Sequence, residues 1–250
     1  MSKHSHDTIV PFQGSEQSKK EQVASMFDQI AFRYDFMNRF LSGGIDVYWR
    51  KRAIKELADL KPQEVLDVAT GTADLAITTW KYLQPRKITG IDISEGMLQL
   101  GRQKIAKLLL NNHIELQKGD SEAINFQDNS FDAITAAFGV RNFQNLEKGL
   151  SEMYRVLKPG GKVVILEFSK PRKIWFKGLY NLYMKVIAPQ AGRWLTNNKD
   201  AYQYLNKSVK AFPEGETFLH ILQQVGFSDT SLKRLSLGIC TIYCGRKRAS

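Results

Sequence analysis

Val65-Leu66-Asp67-Val68-Ala69-Thr70-Gly71-Thr72-Ala73-Asp74 is the stretch on which the fold turns. Glu64 to Val68 reads as a buried strand, and Gly71 permits a tight turn with close backbone approach. A helix over 73–83 follows. Strand, single-glycine turn and helix in that order open a parallel α/β sheet.

Working outward, Lys87 to Asp92 reads as a second strand, and Ser94 caps a helix running to about 109. Residues 113–117 and 131–138 give a third and a fourth strand. A helix over 146–157 is closed by Lys158-Pro159-Gly160-Gly161, and 163–168 is a fifth strand. Residues 170 to about 212 interrupt the alternation with aromatic and basic helical sequence. A helix over 214–225 resumes it, and two strands, from 227 and over 237–244, pair antiparallel at the sheet edge. Upstream, Val23, Phe27, Ile30 and Ala31 recur at helical spacing, as do Trp49, Ala53, Ile54 and Leu57, with Gly43-Gly44 between the two runs. Residues 1–18 are polar, lack periodicity and read as a disordered tail.

The chain has 250 residues, 43% hydrophobic and 24% charged, which suits one large α/β domain with its own core. No apolar run approaches the ~18–20 residues of a membrane span, and the first residues lack a signal-peptide core, so the cytoplasm is the expected location. Two cysteines, Cys240 and Cys244, cannot build a disulfide framework; their even spacing puts them on one face of a strand, as buried inert thiols. Four scattered histidines argue against a metal centre. The net charge of +11 favours anionic partners: nucleic acid, anionic lipid or an acidic ligand.

In a doubly wound sheet the ligand sits at the carboxyl ends of the strands. Asp92 ends the second strand about 20 residues after the glycine turn, where an acid reaches a ribose diol. The turn alone is equally compatible with a structural strand–helix junction. One glycine is fewer than a pyrophosphate-binding turn requires, whereas a cofactor without pyrophosphate tolerates it. Gly119-Asp120-Ser121-Glu122 follows the third strand, where Asp120 either accepts from an adenine amino group or simply forms a turn. With Arg155-Val156-Leu157-Lys158-Pro159-Gly160-Gly161 before the fifth strand, residues 62–168 resemble the class I methyltransferases that use S-adenosyl-L-methionine. That resemblance implies a Rossmann-like, mostly parallel seven-stranded sheet with helices on both faces.

Two longer segments narrow the resemblance. One is Tyr34-Asp35-x-Met37-Asn38-x-x-Leu41-Ser42-x-x-x-Asp46-x-x-Trp49; the other runs from Arg155 through Glu167-Phe168-Ser169. With Phe138-Gly139-Val140-Arg141-Asn142 after the fourth strand, they resemble the quinone-biosynthesis C-methyltransferases of the UbiE/COQ5 type, from about Val23 to the C-terminus. The resemblance implies methyl transfer to a ring carbon of a polyprenylated quinol. The acceptor would be a naphthoquinol, in the last step of menaquinone synthesis, or the corresponding benzoquinol of the ubiquinone route. It implies a helical cap over 19–61 and a methyltransferase domain over 62–250 with a helical insertion at about 170–212.

Cofactor contacts carry over onto Gly71, Thr72, Asp92, Asp120 and Ser121. Arg141 is the candidate for steadying the quinolate oxygen or an activating water, being too permanently charged to act as a base. Asn142, Tyr34 and Asp35 are candidates for orienting the quinol hydroxyls. The chain departs from the pattern at Asp46, where the signature usually has His, and at Ala137, where some members place Ser. The aromatic and cationic run from Arg172 to Lys185 suits a membrane surface or the wall of a prenyl tunnel, and equally an ordinary amphipathic helix packed on the sheet. The expected partners are therefore the quinol and, in reversible contact, the inner membrane face, with a homodimer as a candidate assembly. A nucleic-acid methyltransferase is the rival that the charge permits; no Asn-Pro-Pro-Tyr-like motif supports it.

Overall fold

The computed structural model describes residues 4–171 and 199–249. The segment from 172 to 185, read above as a membrane or tunnel helix, lies outside them, as does most of the insertion expected over 170–212.

Two helices, α1 (Lys19–Leu41) and α2 (Ile45–Lys55), precede the sheet. Then come β1 (Glu64–Val68), α3 (Asp74–Leu83), β2 (Lys87–Asp92), α4 (Glu95–Lys107), β3 (Ile114–Lys118) and β4 (Phe131–Ala137). After them follow α5 (Leu146–Val156), β5 (Leu157–Phe168), α6 (Lys199–Ala211), α7 (Glu216–Val225), β6 (Ser228–Leu235) and β7 (Cys240–Arg246). The sheet has seven strands in the order β3-β2-β1-β4-β5-β7-β6. The first five are parallel; β7 runs antiparallel between β5 and β6. The order reverses at β1, between β2 and β4, and such a reversal opens a crevice at the strand carboxyl ends.

Alternation along the strands builds two cores. Leu66, Val68, Ile134, Val163 and Ile165 meet Leu150 and Met153 of α5 and Phe218 and Leu222 of α7. Val65, Ala133, Val164, Leu166 and Ile242 point the other way, onto Trp49, Ala53, Ala76, Leu98 and Ile105. Each buried Val, Leu, Ile, Met or Phe among them contributes roughly 1.5–3 kcal/mol by leaving water. Cys240 and Cys244 share the second core, and burial pushes both thiols up, Cys244 to about 11, which leaves them inert.

Two expectations change. Strand β5 begins at Leu157, not Val163, because Leu157 still pairs with Phe131 before Lys158–Gly161 bulge and Lys162 pairs with Ala133. Part of the tail expected to be disordered is packed, from His4 to Phe12, while residues 13–18 are exposed: Ser5–Thr8 form a 3-10 turn, His6 is fully buried edge-on to Phe212, and the Lys19 ammonium donates to the His6 carbonyl at 2.7 Å. One aromatic ring buried against the domain outweighs the tail's polarity. Among the described residues no helix is long and apolar enough to cross a membrane, and no His, Cys, Asp or Glu group is arranged to hold a metal.

Candidate active site

A pocket opens at the carboxyl ends of β1 to β4, where a doubly wound sheet places its ligand. Its floor is the glycine turn. Gly71 has φ +55°, and Ala69 and Ala73 are also left-handed, at +53° and +65°, so three of five consecutive residues hold a conformation that side chains resist. Asp67 stabilises the turn. Its buried carboxylate accepts hydroxyl hydrogen bonds from Thr70 and Thr135, both at 2.6 Å, across the β1–β4 seam.

Asp92 ends β2 beside this turn. Its two oxygens accept from the Gly71 N–H at 2.8 Å and the Ser94 N–H at 2.9 Å. Burial pushes its carboxyl up to about 6, against the opposing pull of the backbone donors. Each oxygen keeps a lone pair for a further donor such as a ribose hydroxyl. Asp120 and Ser121 form the wall after β3, Asn142 lies after β4, and Tyr34 of α1 also lines the pocket. The Asn142 amide oxygen accepts from the Tyr204 hydroxyl at 3.1 Å, which orients its side chain. Burial raises the Tyr34 phenol above its ordinary value, while the nearby Arg141 charge works the other way.

Six of the nine expected site residues therefore line one pocket: Gly71, Asp92, Asp120, Ser121, Tyr34 and Asn142. The other three stand behind it. The Thr72 hydroxyl donates to Asp35 at 2.5 Å, and the Lys104 ammonium binds Thr72 at 2.9 Å, Asp35 at 2.5 Å and Asp74 at 2.7 Å. Thr72 and Asp35 thus join the glycine turn to α1 instead of reaching into the pocket. Arg141 is buried, with one guanidinium nitrogen on the Phe138 carbonyl and, at 2.7 Å, on the fully buried Glu167 of β5. Its Nε–H has no partner among the described residues. Asp46 points away as well, tied to Arg50 and accepting from Ser42 at 2.8 Å. In the second signature, Arg155 acts on the scaffold: it donates to the carbonyls of Ile124 and Phe126 at 2.7 and 2.8 Å, holding the loop that follows Asp120.

Several lining residues lie outside the nine expected for the site: Lys20, Phe27, Met97, Glu122, Phe138, Phe143 and Gln144. One signal existed. Lys20 lies three residues before Val23 and seven before Phe27, a cation on the apolar stripe of a helix, where a charge needs a partner.

The donor set fits adenosylmethionine. Asp92 offers acceptors for a diol, Asp120 an acceptor for an exocyclic amine, and Ile93, Met97 and Phe143 apolar surface for a flat base. Fold and site together define the class: a Rossmann-like methyltransferase of the adenosylmethionine-dependent kind. More particularly, the chain belongs to the ubiE/COQ5 methyltransferase family, whose profile matches residues 15–247. It is 47% identical to the demethylmenaquinone methyltransferase of Bacteroides fragilis, over 96% of this chain and 98% of that one. It is also 47% identical to the ubiquinone/menaquinone biosynthesis C-methyltransferase UbiE of Geotalea daltonii, over 92% and 97% of the two chains. A crystal structure of a SAM-dependent methyltransferase from Thermotoga maritima superposes with a TM-score of 0.63, covering 90% of this chain and 99% of that one; at 18% identity the likeness is one of fold.

Proposed function

We propose that this chain methylates a ring carbon of a polyprenylated naphthoquinol, the closing step of menaquinone synthesis. The convergence of Tyr34 and Asn142 with Asp92 and Asp120 on one pocket carries this reading, and the naphthoquinone substrate named for the Bacteroides relative supports it. Bound adenosylmethionine supplies an electrophilic methyl group. The chain's own work is to bring the ring carbon into line, to help a ring hydroxyl lose its proton, and to steady the oxyanion that pushes charge onto that carbon. The ring proton at the methylated carbon then leaves and aromaticity returns. Tyr34 and Asn142 hold the quinol hydroxyls. Arg141, held by Glu167 behind the pocket, acts on the oxyanion through its charge, as it does on the Tyr34 phenol.

Reversible contact with an anionic membrane face belongs to the same reading, because the acceptor's tail is lipid-soluble. Ile45, Val47 and Tyr48 of α2 are exposed close in sequence to the cationic Lys51 and Arg52, and the net charge of +11 acts in the same sense. Flotation with anionic vesicles at low salt is the expected outcome; no flotation discards the membrane contact.

The substrate is tested by offering methyl-labelled adenosylmethionine with demethylmenaquinol, with the demethylated benzoquinol of the ubiquinone route, and with RNA. Label in the naphthoquinol is expected. Label in the benzoquinol alone, or in RNA alone, overturns the proposal.

A further inference from the structure

Helix α1 is a wall of the pocket and is tied to all four loops that form it. Lys20, Val23, Phe27 and Tyr34 lie along one stripe and line the cavity. After β1, the Thr72 hydroxyl donates to Asp35 at 2.5 Å. After β2, Asp28 accepts from the Ser94 hydroxyl at 2.6 Å and the Gly96 N–H at 2.9 Å. After β3, the Lys20 ammonium sits on Asp120 and lies 3.6 Å from Glu122. After β4, the Gln144 side-chain oxygen accepts from the Lys20 N–H at 3.2 Å.

The ties differ in kind. Asp35 is buttressed by Lys104, and Asp28 also caps the start of α4, so both serve the scaffold. Lys20 and its partners Asp120 and Glu122 all belong to the pocket lining. Glu122 is fixed from behind, because one of its oxygens accepts from the Gln144 and Asn145 N–H groups at 2.8 and 2.9 Å. A cation on α1 thus meets a carboxylate pair on the loop after β3, with Glu122 pinned to the loop after β4.

We propose that Lys20 is a cofactor-positioning residue: its ammonium, seated on Asp120 and Glu122, latches α1 over the adenosine end of the pocket and holds the Asp120 carboxylate in the orientation that receives the base. This rests on the reading of the pocket as the adenosylmethionine site. The latch acts on retention of the ligand, while Tyr34 and Asn142 act on the acceptor. The two carboxylates are also like charges that lose their shared counter-ion when the lysine is removed.

The experiment uses the full chain and S-adenosylhomocysteine as the probe, with dissociation followed by stopped flow and turnover measured alongside. Lys20→Met is expected to speed dissociation and raise the KM for adenosylmethionine roughly three- to ten-fold, a range set by the 30% exposure of both side chains in the pair. Its kcat does not fall, and Lys20→Arg restores retention. In the unsubstituted chain, dissociation quickens as salt rises from about 50 to about 500 mM, and in Lys20→Met it does not. Unchanged dissociation in Lys20→Met, a kcat that falls in step with affinity, or failure of Lys20→Arg to rescue overturns the latch. Should Lys20→Met not fold, a salt-independent dissociation rate in the unsubstituted chain overturns it instead. Asp92→Ala separates the two readings. If that variant keeps full affinity for the probe, the pocket assignment fails; if it loses affinity while Lys20→Met binds and releases normally, only the latch fails.

Discussion

Asp67, one residue before the end of β1, and Asp92, the last residue of the adjacent parallel β2, are both pushed up to about 6 by burial and do different work. Asp67 is enclosed, with Thr70 and Thr135 on its two oxygens, and shapes the turn. Asp92 lies in the pocket lining, where a ligand can reach it. For Asp67 the sign of the pH effect follows from its raised value. The folded state holds its proton up to about 6, the unfolded chain only to about 3.9. Between those values the folded state binds more protons, so this group's contribution to stability falls as pH rises and is least favourable above 6. Asp67→Asn keeps a side chain able to pair with both hydroxyls and removes the titration. Relative to the unsubstituted chain it is expected to be more stable at pH 7 than at pH 4, by about 2–3 kcal/mol. Urea unfolding of both proteins at the two pH values measures this, and a difference that does not vary with pH rules it out. Arg141 shows the limit of reading at this scale. Its place after a buried strand was legible, but its partner Glu167 is 26 residues away, and only the pairing of β4 with β5 brings the two together.

At the scale of elements, the pocket depends on how closely the ends of β1 and β4 approach. Gly139 packs on Ala69, and a Cβ at Gly139 would overlap the Ala69 methyl, which has no freedom to swing away. Gly139→Ala must push the glycine turn and the Phe138–Asn142 loop apart. It is expected to cost roughly 1–3 kcal/mol in stability and to weaken binding of S-adenosylhomocysteine, as measured by thermal unfolding and calorimetry. A variant with normal affinity would show that the two loops move independently. The main elements were legible because alternation and helical spacing are local patterns: β1 and β2 fall where the periodicity puts them, and Ser94 caps α4 with its hydroxyl accepting from Met97 N–H at 3.2 Å. The packing of residues 4–12 was not, because polar composition cannot reveal that His6 finds Phe212 or that Lys19 reaches back to the tail.

Over the whole molecule, the last strand in the chain is not the last in the sheet. Strand β7 is bonded on one side to β5 and on the other to β6, and carries Ile242 into one core and Tyr243 into the other. Truncation after Gly238 strips a strand from the interior of the sheet. It is expected to give a chain without a cooperative unfolding transition, whereas removing residues 249 and 250 leaves the melting temperature unchanged. Differential scanning calorimetry distinguishes the two, and a cooperative transition in the shorter chain would mean that the parallel strands fold without this edge.

Sequence by itself determined the order of elements, the glycine turn with Asp92 beyond it, and the two signatures that mark the family; each is a short-range pattern or a recognisable string. Tertiary structure decided which of those residues face the pocket. Thr72 and Asp35, adjacent to lining residues in the chain, turn to Lys104. Arg141 turns to Glu167, and Lys20, far from every motif, crosses to Asp120. The reason is that a buried or half-buried charge goes wherever a counter-charge lies, and those partners come from other strands and helices. The glycine turn depends on tertiary structure too, since the Asp67 carboxylate beneath Gly71 accepts one hydroxyl hydrogen bond from its own loop and one from Thr135 on the neighbouring strand.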